Sequence, residues 1–257
     1  MFSKFPAAVK PFSQELINEI FAGVEREKKA RPSGPWYAAF DADGTLWSFD
    51  VGETFFQYQL DHCGLKDLPP DPWEKYEDMK KNNPPWDCMW LAQINKGVPY
   101  AQLQKWAIDC FKRLPRFEYF QFQKDLIEGL RGRGVEVYVV TASVRWAMLP
   151  VVRDIYDVPE DRVLGIETHI RDGIITDEPV HPIVWGPGKA EAILKATGGV
   201  RPLLSCGNSM LDLGLLECAS QARVTINSHP PGTDGYSTES RLAEQARNRG
   251  WLTHQTY

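Results

Sequence analysis

An α/β fold, with a mainly parallel sheet covered by helices on both faces, is predicted by three features of this 257-residue sequence. Short apolar runs alternate with segments of helical periodicity, the pattern of strand–helix–strand units. Small polar clusters directly follow three of the predicted strands, where ligands gather in such sheets. A stretch of different composition, residues 48–114, interrupts the alternation after the first strand and reads as a mostly helical insertion.

Taken in order, Ser13 caps a predicted helix carrying Ile17, Ile20, Phe21 and Val24 at helical spacing. Pro32, Gly34 and Pro35 end it, and Trp36 to Phe40 forms a buried strand running into Asp41-Ala42-Asp43-Gly44-Thr45. The insertion holds Trp73, Trp86, Trp90 and Trp106 and two Pro-Pro pairs, without a strong strand pattern. Alternation resumes with a helix over Phe122 to Arg133, a strand over Val135 to Val140, and a helix over Val144 to Tyr156. Val163 to Ile170 and Ile174-Ile175 read as a strand pair about the turn Asp172-Gly173. Next come a helix from Lys189 to Thr197, a strand from Pro202 to Cys206 and a helix from Met210 to Cys218. A last strand over Arg223 to Ile226 is followed by a polar helix near Glu239 to Asn248, and the charges of Arg241 to Arg249 read as a solvated face.

A net charge of −5 gives no basic surplus, so neither nucleic acid nor an anionic membrane is an expected partner. Five cysteines without a CxxC pair fit reduced thiols. The first eleven residues lack the apolar core of a signal peptide, and no run of about 18 apolar residues occurs. A cytoplasmic location is expected.

The polar clusters are Asp41 and Asp43 after the first strand, Thr141 and Ser143 after the second, and Asn208 and Asp212 after a later one. Lys189 lies at a helix start between the last two. Phosphoryl transfer requires an in-line nucleophile, a proton donor for the leaving oxygen and charge neutralisation on the phosphoryl oxygens. Asp41 can act as nucleophile, and Asp43, two residues on past the small Ala42, can reach the ester oxygen as general acid/base. The Thr141 hydroxyl and main-chain N–H groups near Ala42 and Ala142 suit phosphate oxygens, with Lys189 neutralising both phosphate and nucleophile. Magnesium takes oxygen ligands and needs few from protein.

Asp41-Ala42-Asp43-Gly44-Thr45-Leu46 resembles the DxDGT motif of haloacid-dehalogenase-like phosphatases. Val139-Val140-Thr141-Ala142-Ser143 with Leu149-Pro150-Val151 resembles the second motif of the phosphoserine-phosphatase-like branch. Gly188-Lys189-Ala190 is similar to the third motif, and Gly207-Asn208-Ser209-Met210-Leu211-Asp212 to the fourth. The resemblance implies a Rossmann-like three-layer core, residues 1–47 and 115–257, with a helical cap at 48–114. It also implies a Mg²⁺-dependent phosphatase acting on a small-molecule phosphomonoester through an aspartyl-phosphate, with metal-site residues Asp41, Asp43, Asn208 and Asp212. Asp43 argues against a dehalogenase, because halide leaves without a proton. The fourth motif departs from the family at Asn208, where aspartate is usual. An amide oxygen can ligate Mg²⁺ with one less negative charge, so restoring aspartate is expected to tighten the metal. Two other readings stay open: phosphotransfer to an acceptor other than water, and a phosphate-binding or interaction module without turnover.

For the substrate, Glu53 resembles the cap glutamate that contacts the amino group in phosphoserine phosphatases, with Asp50 competing for that role. No arginine occurs between Arg31 and Arg113 to hold a carboxylate. Glu53 with a tryptophan such as Trp90 would suit an ammonium group, so phosphocholine and phosphoethanolamine stand beside phosphoserine as candidates.

Overall fold

The computed structural model describes residues 9–113, 119–233 and 235–257. The expected end of the insertion, between 114 and 115, lies outside the described residues, as does most of the segment read for a signal peptide.

The chain opens with α1 (Gln14–Ala30), whose cap Ser13 accepts the Leu16 N–H at 3.2 Å, and then enters β1 (Tyr37–Phe40). Four helices follow: α2 (Val51–His62), α3 (Pro72–Asn82), α4 (Trp86–Gln93) and α5 (Tyr100–Arg113). Alternation returns with α6 (Gln121–Arg131), β2 (Glu136–Val144), α7 (Arg145–Tyr156) and β3 (Val163–Ile166). A hairpin of β4 (Thr168–Arg171) and β5 (Ile174–Pro179) precedes α8 (Pro187–Ala196), β6 (Leu204–Gly207) and α9 (Leu213–Cys218). The chain closes with β7 (Ala222–Asn227), α10 (Tyr236–Asn248) and β8 (Leu252–Gln255).

Six strands form one sheet in the order β3-β2-β1-β6-β7-β8, every neighbouring pair parallel. Ala38, Ala39, Phe40, Val139 and Val140 are fully buried, as the central strands of a sheet flanked by helices must be. The order reverses at β1, which pairs with β2 on one side and β6 on the other. That reversal opens a crevice at the carboxyl ends of β1 and β6, and both motifs carrying carboxylates start there. The register between β2 and β3 shifts between Val140 and Val144, so Thr141, Ala142 and Ser143 leave the regular ladder beside that crevice.

Two readings of the sequence change. Val163 to Ile170 is not one strand: β3 joins the main sheet, and β4 pairs antiparallel with β5 instead. Asp172 and Gly173, with φ of 50° and 76°, make the turn between β4 and β5. The hairpin also ties to the helical insertion, with Gly97 N–H donating to the Ile175 carbonyl at 2.9 Å and Tyr100 N–H to that of Gly173 at 2.8 Å. The second change is β8, which adds to β7 through Leu252 to Gln255 where the sequence suggested only a tail.

Within the insertion, Phe56 stacks on Trp73 at 5.3 Å and meets the edge of Trp90 at 5.7 Å, so these tryptophans build a small core of their own. Among the described residues no helix is long and apolar enough to cross a membrane.

Candidate active site

Asp41 leaves β1 with its N–H bonded to the Cys206 carbonyl at 3.0 Å, which fixes its backbone against β6. One side-chain oxygen, Oδ2, accepts the Thr45 hydroxyl at 2.9 Å; the other, Oδ1, accepts Lys189 Nζ at 2.6 Å. Lys189, near the start of α8 and 2% exposed, also donates to Asp212 Oδ1 at 2.5 Å. One buried ammonium therefore serves two buried carboxylates. Burial acts to lower the Lys189 pKa, but Asp212 and Asp41 outweigh it and raise it, so the lysine stays charged. Burial, and then the charge of Asp212, push Asp41 up to about 7 despite Lys189.

Asp43 has a different environment. Its Oδ1 accepts the Trp47 indole N–H at 2.6 Å and the Val51 main-chain N–H at 2.9 Å, and its Oδ2 accepts the Ser143 hydroxyl at 2.6 Å. The carboxyl thus lies at the first turn of α2, held from the helical insertion and from the β2 loop together. Burial raises its pKa, while the bonds from Ser143, Val51 and Trp47 pull the other way. A carboxyl held above its ordinary range and aimed by three donors suits proton exchange with a leaving group.

Gly44 lets the loop close. Its φ is +78°, and a Cβ there would fall 1.8 Å from Asn208 Nδ2, so the Asn208 amide lies directly on the glycine. Thr141 is buried, and its Oγ1 accepts the Ser143 N–H at 3.0 Å, which leaves its hydroxyl hydrogen to donate. Ala42 and Ala142 lie in the loops after β1 and within β2 that border the same crevice. Asp41, Asp43, Asn208, Asp212, Thr141 and Lys189, all singled out in the sequence, belong to this one cluster.

Asp212, expected from the sequence at the metal, is a hub of hydrogen bonds. Its Oδ1 holds Lys189, and its Oδ2 accepts the N–H groups of Asn208 and Ser209, each at 3.0 Å, and the Ser209 hydroxyl at 3.2 Å. The residue is 0% exposed and organises the loop after β6.

Ser143 was noted in the sequence only as a polar residue at a strand end; its contact with Asp43 depends on a register shift no local pattern reveals. We expect Ser143→Ala to lower turnover of unactivated esters about tenfold, since a hydrogen bond to a charged group is worth ~1.5–3 kcal/mol. The check is the ratio of kcat/KM on alkyl and aryl phosphates, and equal kcat/KM in variant and parent would remove Ser143 from the site.

The insertion contributes a second polar group. Glu53, in the first turn of α2, accepts Lys80 Nζ at 2.5 Å and the Tyr76 hydroxyl at 3.0 Å on the same oxygen. Asp50 caps α2 by accepting the Glu53 N–H at 2.7 Å; burial, then the charges of Asp43 and Glu53, hold its carboxyl well above the ordinary range. Trp90 carries Lys75 Nζ over its ring at 5.1 Å, so both groups expected to receive a substrate cation already have a lysine against them. A separate cavity of about 280 Å³, lined by His229, Tyr236, Arg247 and Tyr257 among others, lies between β7, α10 and the C-terminal segment.

Among the described residues no three His, Cys, Asp or Glu side chains form a ready metal cage. The donors present nevertheless fit a hard cation. Burial first, and then the charge of Asp212, raise Asp41 beyond what Lys189 offsets, so added positive charge would be welcome there, and Asn208 supplies a neutral amide across Gly44.

A sequence model of the haloacid dehalogenase-like hydrolases matches residues 38–217. The chain therefore belongs to the haloacid dehalogenase-like hydrolase family. No curated protein gives a significant match. A protein of unknown function from Bordetella pertussis Tohama I is similar in structure, with a TM-score of 0.67 at 19% identity over 86% of this chain and 98% of that one. A functionally unknown protein from Anaerococcus prevotii DSM 20548 gives 0.69 at 15% identity, over 99% and 94%. A phospho-aspartyl intermediate analogue of phosphoserine phosphatase gives 0.50 at 16% identity, over 83% and 99%. At these identities the solved structures establish the fold.

Proposed function

We propose that this hydrolase is a Mg²⁺-dependent phosphatase that cleaves a small phosphomonoester through an aspartyl-phosphate on Asp41. The observation that carries the reading is one nucleophile-type carboxylate paired to a buried lysine, with a second carboxyl two residues on aimed separately by α2. Asp41 attacks phosphorus as the ester P–O bond breaks, and Asp43 gives its proton to the leaving oxygen. Asp43 then takes a proton from water as that water attacks phosphorus, releasing phosphate and restoring Asp41. Thr141 and the main-chain N–H groups near Ala42 and Ala142 hold phosphoryl oxygens, and Lys189 offsets their charge. Magnesium, held by Asp41, Asn208 and the Asp43 carbonyl, would supply the remaining positive charge and keep Asp41 ionised at neutral pH. Hydrolysis of p-nitrophenyl phosphate tests this: turnover should require added Mg²⁺ and stop with EDTA, and no turnover with any divalent cation would overturn it.

The insertion, residues 48–114, acts in this reading as a cap whose α2 delivers Val51 to Asp43. Its Glu53–Lys80 pair supports a substrate bearing both an amine and a carboxylate, of the phosphoserine type. Lys80 supplies the cation that the absence of arginine had left missing, while Lys75 over Trp90 weakens the case for a quaternary ammonium. Lys80→Ala should raise KM for phosphoserine about tenfold and leave phosphoethanolamine nearly unchanged. Equal effects on both esters would assign Lys80 to cap stability instead. Five unpaired cysteines support a reducing, cytoplasmic setting.

A further inference from the structure

Glu239, at the start of the polar helix α10, is 2% exposed. Its Oε2 accepts two main-chain donors, the N–H groups of Ser228 and His229, each at 2.8 Å. Its Oε1 meets three side chains: the Ser228 hydroxyl at 2.7 Å, His229 Nδ1 at 2.7 Å and Asn208 Nδ2 at 3.1 Å. The same Ser228 hydroxyl oxygen lies 3.3 Å from the Gly44 carbonyl, beside the nucleophile loop. None of these bonds is used in the catalytic steps above.

An asparagine amide has one donor end and one acceptor end, and only the acceptor can ligate a cation. A carboxylate can only accept, so Glu239 draws the Nδ2 end of Asn208 toward itself and leaves Oδ1 for the other side. We propose that Glu239 is a positioning residue that sets the orientation of Asn208, so that asparagine serves where an aspartate would need no such control. The proposal rests on the phosphatase reading only in taking Asn208 as a metal ligand.

The arrangement yields a distinctive double substitution. In Glu239→Gln the new amide oxygen must face the two fixed main-chain N–H groups. Its NH₂ then faces Asn208, which turns its own oxygen toward Gln and its NH₂ toward the metal position. In Asn208→Asp two buried carboxylates meet where the amide bond was. In the double variant, Gln donates to one oxygen of Asp and leaves the other, with its charge, for the cation.

Titration calorimetry with MgCl₂ on the four proteins reads this directly. Each single variant should bind Mg²⁺ about tenfold or more weakly, the usual range for loss of an outer partner, and the double variant should bind at least as tightly as the parent. Urea unfolding without metal should follow the same order for Asn208→Asp, destabilised alone and recovered with Glu239→Gln. A merely structural Glu239 would give losses that add in the double variant. Additive losses, or unchanged Mg²⁺ affinity in Glu239→Gln, would overturn the proposal. The coupled pattern without ester hydrolysis would sink only the phosphatase reading, and hydrolysis without the pattern only this one.

Discussion

Asp41→Asn should abolish turnover while leaving the metal-free protein at least as stable as the parent above pH 7. An amide cannot form the acyl-phosphate, so the loss should be complete within the sensitivity of the assay. The stability expectation follows from Asp41 being pushed up to about 7 by burial and by Asp212. A carboxyl raised in the folded state stabilises below its unfolded value of 3.8, and that contribution is lost as pH rises through about 7. Asparagine carries no charge to bury, and Lys189 keeps Asp212 as its partner. Thermal unfolding of both proteins without metal should therefore diverge from pH 5 to pH 8 in favour of the variant. A gain of 1 kcal/mol would appear as roughly 2–4 °C. A variant less stable at pH 8 would show that Asp41 is held charged at no cost by its neighbours.

Lys189→Met should have the opposite character, costing both activity and fold. It removes the one ammonium shared by Asp41 and Asp212 and leaves two buried carboxylates facing a thioether. Breaking a buried pair from one side typically costs about 3–5 kcal/mol. Because Asp41 is already pushed up to about 7 with the lysine in place, losing the lysine should cost more at pH 8 than at pH 5. Urea unfolding at pH 8 and pH 5 measures it. A loss below about 1 kcal/mol at pH 8 would mean that the carboxylates find other partners or take up protons.

The features legible in the sequence were those in which a strand runs straight into its chemistry. Tyr37 to Phe40 points into Asp41, and Leu204 to Gly207 into Asn208, so strand ends and charged residues were visible together. Lys189 was legible because it lies at a helix start between two strand-end clusters and fits the third motif. Contacts between distant segments were not legible. Ser143 reaches Asp43 across 100 residues, and Lys80 reaches Glu53 across 27, without any periodicity to mark them. The burial of Glu239 was not legible either, because it depends on the main-chain N–H groups of Ser228 and His229 that its carboxylate accepts. The sequence shows Asp212 as a carboxylate but not the four hydrogen bonds it accepts. The proposed grip of Glu239 on Asn208 carries the opposite expectation for Asn208→Asp alone, a weaker metal, and titration with MgCl₂ decides between the two.

The central claim is that Asp41 is the atom donor to phosphorus. Asp43→Asn lacks the group that activates water, so with p-nitrophenyl phosphate, whose leaving group needs no proton, the acyl-phosphate should accumulate. Acid quenching during turnover, proteolysis in acid and mass spectrometry then locate the phosphoryl group. Our account expects one phosphoryl group on the peptide containing Asp41, lost on treatment with hydroxylamine; an unmodified Asp41 peptide in a variant still releasing p-nitrophenol, or a phosphoryl group on another residue, would contradict it.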